Sequence, residues 1–166
     1  MLEQTGIPTT DDITAAAPSQ ERLAQGPVAL FECFQNIPCN PCADACPQGA
    51  ITIGEDINQR PVLDESKCNG CGICLAHCPG LSIFVVDCSS QDNQALVKLP
   101  YEYVPLPEAG QSVNALNRKG ETVADAKIKK VQQNKNKTTV VWVTVPKELA
   151  MDVRGISLRK EGSHYD

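Results

Sequence analysis

The sequence predicts an α+β protein, in which a βαββαβ unit is followed by a small all-β unit. Two observations favour this class. Residues 28–90 contain two cysteine-rich loops of related spacing, each set between short apolar segments. From about residue 91 cysteine disappears, and valine, threonine and lysine predominate in segments separated by turn residues. The 166 residues suffice for one ordinary domain or two small ones. We expect an extended N-terminal arm over 1–27, the βαββαβ unit over 28–90, and the all-β unit with a C-terminal tail over 91–166.

The N-terminal arm shows no residues with an evident chemical role. It contains two prolines and a run of threonine, aspartate and alanine, which favours an extended conformation. A short helix is expected over 19–25, with Ser19 as its N-cap and a Gly-Pro pair after its end. We interpret the arm as a strap that lies on this protein or on a partner.

The βαββαβ unit is an internal repeat. Its predicted order is a strand, a cysteine loop with a helical turn, two strands, a second cysteine loop with a helical turn, and a last strand. The expected strands cover 28–32, 50–53, 60–64 and 81–87. This order repeats with approximate two-fold character, so the two cysteine loops are expected at equivalent places.

The second cysteine loop has the spacing C-x2-C-x2-C-x3-C-P. It is formed by Cys68, Cys71, Cys74, Cys78 and Pro79. This spacing is typical of bacterial iron–sulfur proteins. Gly70 and Gly72 provide the backbone angles and close approach that such a loop needs. The fourth cysteine lies one helical turn after the third, so we expect it to point away from the first three and toward a different cluster.

The first cysteine loop has the same x2 and x3 intervals and the same trailing proline. Its members are Cys39, Cys42, Cys46 and Pro47. Asn36 stands where the spacing calls for a further cysteine, and Cys33 is the only candidate to replace it. The sequence therefore predicts two [4Fe-4S] clusters, each with one ligand from the opposite loop. The expected ligands are Cys33, Cys39, Cys42 and Cys78 for the first cluster, and Cys46, Cys68, Cys71 and Cys74 for the second.

Two other uses of nine cysteines stay open, a disulfide framework and a zinc site. The first twelve residues lack the basic and apolar regions of an export signal. The longest strongly apolar run, 140–145, is far too short to span a bilayer, so no membrane partner is expected. A reducing cytoplasm is the expected location, and clustered cysteines in that compartment indicate metal ligands.

Charge is uneven along the chain. Residues 1–90 carry three basic and eleven acidic side chains, a net charge of −8, whereas the remainder carries twelve basic and nine acidic, a net charge of +3. Clusters with four thiolates add negative charge to the acidic half. We expect this half to prefer a basic protein surface and to bind no nucleic acid.

The all-β unit is predicted from turn residues and alternating valines. Strands are expected over 101–104, 111–116, 121–131 and 138–145, with turns over 105–110, 117–120 and 134–137. Alternation breaks at Lys129 and Lys130, which indicates a β-bulge. We expect an SH3-like or OB-like barrel, or else a twisted sheet packed on the preceding unit.

Three further residues are given structural interpretations. Cys88 lies outside both loops and is expected to be an inert thiol at a strand end. His77 is expected to face solvent on a helical turn. Asp44 is out of register as a ligand, although its charge could tune a cluster.

Residues 28–88 resemble a bacterial-type two-cluster [4Fe-4S] ferredoxin, which implies a ferredoxin-like fold for this unit. A second, less specific resemblance is to the ferredoxin-like subunits that accompany FAD-dependent amino-acid or amine dehydrogenases of the proline, hydroxyproline and sarcosine type. It rests on the segments Glu21-Arg22-Leu23, Gly26-Pro27-Val28-Ala29, Glu32-Cys33, Ile37-Pro38-Cys39-Asn40-Pro41-Cys42 and Cys78-Pro79-Gly80. The displaced Cys33 departs from the common ferredoxin pattern.

These features predict an electron-transfer subunit that relays electrons to or from an FAD-containing partner in a hetero-oligomer. The sequence shows no proton-transfer pair, nucleophile or further cofactor motif, so no catalytic residue is expected. Two alternatives stay open. One is a free ferredoxin that serves several partners. The other is an iron–sulfur nucleic-acid-binding or regulatory protein, suggested by a basic hairpin formed by Lys127, Lys129, Lys130, Lys135 and Lys137. Only Trp142 lies near that hairpin as a stacking aromatic.

Overall fold

The computed structural model describes residues 2–159, which contain five helices and nine strands. The helices are α1 (Leu2–Thr5), α2 (Thr10–Ala16), α3 (Gln20–Gln25), α4 (Pro41–Ala45) and α5 (Ile73–His77). The strands are β1 (Val28–Phe31), β2 (Ile51–Thr52), β3 (Val62–Leu63), β4 (Ile83–Asp87), β5 (Gln94–Tyr101), β6 (Ser112–Leu116), β7 (Thr122–Gln133), β8 (Thr139–Pro146) and β9 (Gly155–Leu158). A 3-10 turn, Lys147–Leu149, follows β8. In residues 2–159 every helix falls short of the length and apolar character needed to cross a bilayer.

Seven of the strands form one antiparallel sheet that runs through both expected units. Its order is β1-β4-β5-β8-β7-β6-β9, and β2 pairs with β3 in a separate two-stranded sheet. The pairing of β4 with β5, with Val86 opposite Val97, crosses the expected boundary at residue 90. Strand β5 was not predicted from the sequence. Because β5 joins β4 to β8, residues 91–159 extend the sheet of the cysteine half and do not form a sheet of their own.

Strands β1 and β4 are buried on both faces, which explains why their sequences lack polar–apolar alternation. On one face, Val28 and Val86 join the core formed with β5 to β9. On the other face, Ala29 and Val85 join a second core that includes cysteines of the two loops and Leu75. The cysteine loops therefore lie on one side of the sheet, and the curled C-terminal strands cover the other.

The sheet curls until its two ends approach each other. Glu32, just after β1, forms ion pairs with Arg118, after β6, and with Arg154, before β9. The side chains of all three are nearly buried. These contacts connect the first strand of the sheet to its last two. The SH3-like or OB-like barrel and the βαββαβ plan remain predictions.

The N-terminal arm is helical and not extended, which corrects our expectation for most of residues 1–27. The sequence signal that we missed is a capping box at α2, in which the side chains of Thr9 and Asp12 bond to each other's backbone N–H groups. The helix expected over 19–25 is confirmed as α3, with Ser19 as its N-cap. The arm also packs onto this chain, because Ser19 donates through its N–H and hydroxyl to the Glu65 carboxylate.

The strands of the C-terminal half agree with the sequence only in part. The bulge in β7 is confirmed by a register shift between Ile128 and Lys130. The strand expected over 101–104 is wrong, because β5 ends at Tyr101, whose partner Thr139 is the first residue of β8. Within residues 2–159, no strand pairs with the residues that directly follow Tyr101. The last strand, β9, was not predicted, and the end of the expected C-terminal tail, residues 160–166, lies outside the described residues.

Candidate metal centres

The two cysteine loops have the same local architecture. In each loop a five-residue helix carries one cysteine inside it, Cys42 in α4 and Cys74 in α5. In each loop the last cysteine caps the helix, with nearly equal backbone angles: φ −72° and ψ 111° at Cys46, φ −73° and ψ 112° at Cys78. The two helices also pack against each other. This repeat allows each capping cysteine to face the opposite loop.

Two small cavities lie beside these helices, and four cysteines line each of them. We name the groups by their cavities. The first cysteine set is Cys33, Cys39, Cys42 and Cys78. The second cysteine set is Cys46, Cys68, Cys71 and Cys74. The structure thus brings together the four cysteines predicted from the sequence for each cluster, including one from the opposite loop.

Cys33 lines the first cavity, whereas Asn36 does not. Asn36 is exposed, and its Oδ1 accepts a hydrogen bond of 2.9 Å from Arg60 Nε. Cys33 is half-buried, and burial, followed by thiolates at Cys78 and Cys39, raises the pKa of its thiol. Position 36, where the common spacing places a cysteine, therefore carries an asparagine whose side chain binds Arg60.

Burial strongly favours the protonated thiols in the absence of metal. It raises the pKa of Cys42 to about 11 and that of Cys74 to about 12. In each case the neighbouring cysteines of the same set raise the pKa further, while one backbone N–H lowers it. Iron binds the thiolate form, so the positive charge of the metal must displace these protons.

Backbone N–H groups point at two of the sulfur atoms. Cys68 Sγ accepts from the N–H groups of Ala29 and Gly70, and Cys78 Sγ accepts from that of Ser82, each at 3.4 Å. Hydrogen bonds to ligand sulfurs stabilise the thiolate charge and influence the reduction potential of a bound cluster. The donors belong to the loops and to β1, and are thus part of the fold itself.

Two glycines of the second loop are required by its geometry, as predicted. Gly70 has φ +68°, and a Cβ there would lie 2.5 Å from the carbonyl carbon of Pro27. Gly72 has φ +79° and is the N-cap of α5. Any other residue at position 70 would collide with the backbone just before β1.

The donor chemistry fits an iron–sulfur cluster better than a single metal ion. Among residues 2–159, no three or more His, Cys, Asp or Glu side chains are close enough together to hold one ion. A tetrahedral zinc ion with Zn–S bonds of about 2.3 Å would bring its sulfurs within roughly 4 Å of one another. Thiolates of a [4Fe-4S] cluster bind separate irons and stand further apart. Four cysteines spread around an apolar cavity fit the second case.

Two cations beside the second set were not identified from the sequence. Lys98 is 6% exposed, and its Nζ donates to the Gly70 carbonyl at 2.9 Å. Arg22 Nη2 donates to the Cys68 carbonyl at 2.6 Å. Burial lowers the pKa of Lys98, and a thiolate at Cys71 raises it. Neither residue lies near the cysteine loops in the sequence, so only the folded arrangement reveals them.

The remaining residues singled out from the sequence lie outside both cavities. Cys88 is half-buried against the core of the C-terminal strands, and burial raises the pKa of its thiol. His77 is exposed, as expected, with Nδ1 2.9 Å from the Ile73 carbonyl oxygen. Asp44 is exposed and accepts a hydrogen bond from Asn40 Nδ2. All nine cysteines are free.

Residues 37–80 match the family model described as the 4Fe-4S dicluster domain. The match covers seven of the eight cysteines that line the cavities and excludes Cys33. It supports iron–sulfur ligation by this part of the chain.

Curated relatives match over similar short segments. The chain is 41% identical over 68 residues to the isethionate sulfite-lyase activating enzyme of Desulfovibrio desulfuricans. The aligned segment covers 40% of this chain and 21% of that enzyme. The chain is also 36% identical over 62 residues to the aliphatic sulfonate oxidoreductase, polyferredoxin-like subunit, of Pyrococcus furiosus, covering 32% of this chain and 35% of the relative. It is 38% identical over 48 residues to the ferredoxin-type protein NapF of Escherichia coli, covering 28% and 29%. The matched segments thus span about a fifth to a third of the length of these relatives. No solved structure matches the chain significantly.

Proposed function

We propose that this chain is a non-catalytic electron-transfer subunit that holds two [4Fe-4S] clusters. One observation carries the proposal: each of two cavities is lined by four cysteines, of which the capping cysteine comes from the opposite loop. The match to a dicluster domain and the similarity to ferredoxin-type proteins support it. When bound, each cluster supplies a one-electron redox centre.

The residues of the chain have three tasks in this function. The cysteine sets hold the clusters, and the crossed capping cysteines keep the two clusters adjacent. The apolar side chains of Phe31, Leu75 and Ile83 limit the access of water to the sites. The backbone N–H groups aimed at Cys68 and Cys78 stabilise the ligand charges.

We further propose that the partner is an FAD-containing oxidoreductase subunit, of the amino-acid or amine dehydrogenase kind, and that it binds beside the first set. Three aliphatic side chains are exposed there: Ile37, which lines the first cavity, Ile57, whose carbonyl accepts from the N–H of Cys39, and Val62. Val62 and Cys33 both line an adjoining cavity of about 400 Å³. Exposed apolar side chains around a redox site are typical of an interaction surface. The similarity to a polyferredoxin-like oxidoreductase subunit supports the subunit role.

Anaerobic isolation of the complex from its native host tests the function and the partner together. About eight irons per chain with stoichiometric FAD would support the full proposal. About eight irons on a lone chain without flavin would instead favour a free ferredoxin in the cytoplasm. Zinc would contradict the electron-transfer function itself, and iron sufficient for only one cluster would contradict the two-cluster assignment.

A nucleic-acid-binding function has less support. The only tryptophan, Trp142, lies under two lysine ammonium groups, Lys98 at 4.1 Å and Lys130 at 4.7 Å from the ring centroid. Its ring is therefore occupied by cations and is not free to stack on a base. Salt-dependent binding of oligonucleotides by the cluster-loaded chain would support this alternative.

A further inference from the structure

The two cysteine sets differ in the positive charges fixed beside them. Lys98 points from β5 into the second loop, where Nζ donates to the Gly70 carbonyl between two ligands of the second set. The same ammonium lies 4.1 Å from the centroid of the Trp142 ring. Its position is therefore set by a strand, a hydrogen bond and a cation–π contact. This ammonium is held in place in a nearly solvent-free site.

Arg22 provides a second fixed cation at the same set. Its guanidinium donates to four backbone carbonyl oxygens, which belong to Glu65, Gly26, Pro27 and Cys68. These acceptors are neutral and leave the positive charge in place. In residues 2–159 neither Arg22 nor Lys98 has a carboxylate partner within 4 Å. Asp87 and Glu65 interact with Lys98 and Arg22, respectively, only at longer range, so both cations can still act on the second set.

The first set lacks equivalent cations in the described part of the chain. The cation near Cys33 is Arg60, whose side chain is exposed and binds the Asn36 side chain. Water and salt screen an exposed charge of this kind. The charge distribution thus favours added negative charge at the second set.

We infer that Lys98 and Arg22 raise the reduction potential of the cluster held by the second set above that of the cluster held by the first. In the proposed carrier, a single electron would therefore occupy the second cluster. Reduction adds one electron without making or breaking a bond, and fixed cations stabilise the more negative state. The inference rests on the proposed two-cluster function. The difference in reduction potential also gives electron transfer a direction, with electrons entering at the first set and leaving from the second.

Redox titration of the anaerobic, cluster-loaded chain, followed by electron paramagnetic resonance (EPR), tests the inference. We expect Lys98→Met to shift the electron partition between the clusters at least tenfold toward the first set, about 59 mV for a one-electron couple. The potential of the first cluster and the iron content should stay unchanged. Lys130→Met is the matched control, because Lys130 contacts the same ring but is exposed. It should move neither potential by that amount.

A second measurement needs no change at Lys98. Cys33→Ser removes a ligand of the first set, and the cluster that remains should titrate at the higher of the two wild-type potentials. Titration at the lower potential would overturn the inference, as would unchanged potentials in a Lys98→Met chain with full iron content. Either result would leave the two-cluster function intact. A wild-type chain without two reducible clusters would instead defeat the proposed function.

Discussion

Glu32 and Cys33, which directly follow β1, make contacts on opposite sides of the sheet. The Glu32 side chain binds Arg118 and Arg154 from the curled C-terminal strands, whereas Cys33 lines the first cavity. A single dipeptide therefore joins the candidate metal centre to the core on the other face. Changes at these two residues should have different consequences, one for iron content and one for stability.

At Cys33 we expect a loss of iron without a loss of fold. Cys33→Ser should lower the iron content from about eight to about four per chain, because a hydroxyl is a poor ligand for a [4Fe-4S] cluster. Iron analysis and EPR of anaerobic protein measure this. Cys88→Ser is the control and should retain all the iron, since Cys88 lines neither cavity.

The same experiment can be extended to position 36. Adding Asn36→Cys to the Cys33→Ser chain should not restore the iron, because the side chain at position 36 is exposed and directed at Arg60. Recovery of eight irons in this double variant would contradict the exposed placement of position 36, directed at Arg60 and away from the first cavity.

At Glu32 we expect a large loss of stability. Burial alone would raise the pKa of Glu32, but the hydrogen bonds and charges of Arg118 and Arg154 lower it below the usual value. Glu32→Gln would leave two nearly buried guanidinium groups without their carboxylate, at a cost of about 3 kcal/mol or more. The midpoint of urea unfolding should fall accordingly. Asp125→Asn is the control: Asp125 also pairs with an arginine, Arg159, but is 83% exposed, and its loss should change the midpoint little.

At the scale of elements, the loop between β3 and α5 depends on a close approach to the chain before β1. Gly70→Ala would force a methyl group against Pro27 in a backbone conformation that already disfavours side chains. We expect this variant to lose the second cluster and about half of its iron. Gly110→Ala is the control, because Gly110 also has a positive φ but has nothing within 4 Å of the added Cβ. It should keep its iron and lose only about 1–2 kcal/mol of stability.

Elements with a local signal were predicted, and those that depend on distant partners were not. The helix at Ser19 and the bulge near Lys130 follow from a capping residue and a break in alternation. Strand β5 alternates, with Ala95, Val97, Leu99 and Tyr101 buried in one core, but Pro100 lies within it, and a proline argues against a central strand. Its extended conformation follows from pairing with β4 and β8, which a single segment does not reveal.

In the candidate site, too, the residues with a local sequence signal could be predicted, and those placed by distant packing could not. Seven of the eight cysteines could be grouped from their spacing, because the fourth cysteine of each loop lies a helical turn beyond the third and reaches the opposite set. Cys33 was assigned only as the nearest cysteine upstream of the unfilled position 36. Lys98 and Arg22 could not be found in that way. They reach the second set only because β5 and α3 pack beside it.

At the scale of the whole molecule, the continuous sheet makes the two halves interdependent. A chain truncated after residue 90 would lose β5, which pairs with β4, and would expose one apolar face of β1 and β4 to water. We expect such a chain to lose cooperative unfolding and most of its iron when its circular dichroism and metal content are measured. A truncated chain that stays folded with eight irons would show that residues 28–90 form an independent domain.

We propose that two crossed sets of four cysteines hold two redox-active [4Fe-4S] clusters in one chain. A reductive titration of anaerobic protein, followed by EPR and combined with iron analysis, tests it most directly. Two bound clusters predict about eight irons and uptake of about two electrons per chain, with the spectrum of two neighbouring, interacting clusters. Uptake of a single electron with four irons, or a chain loaded with zinc that takes up none, would contradict it.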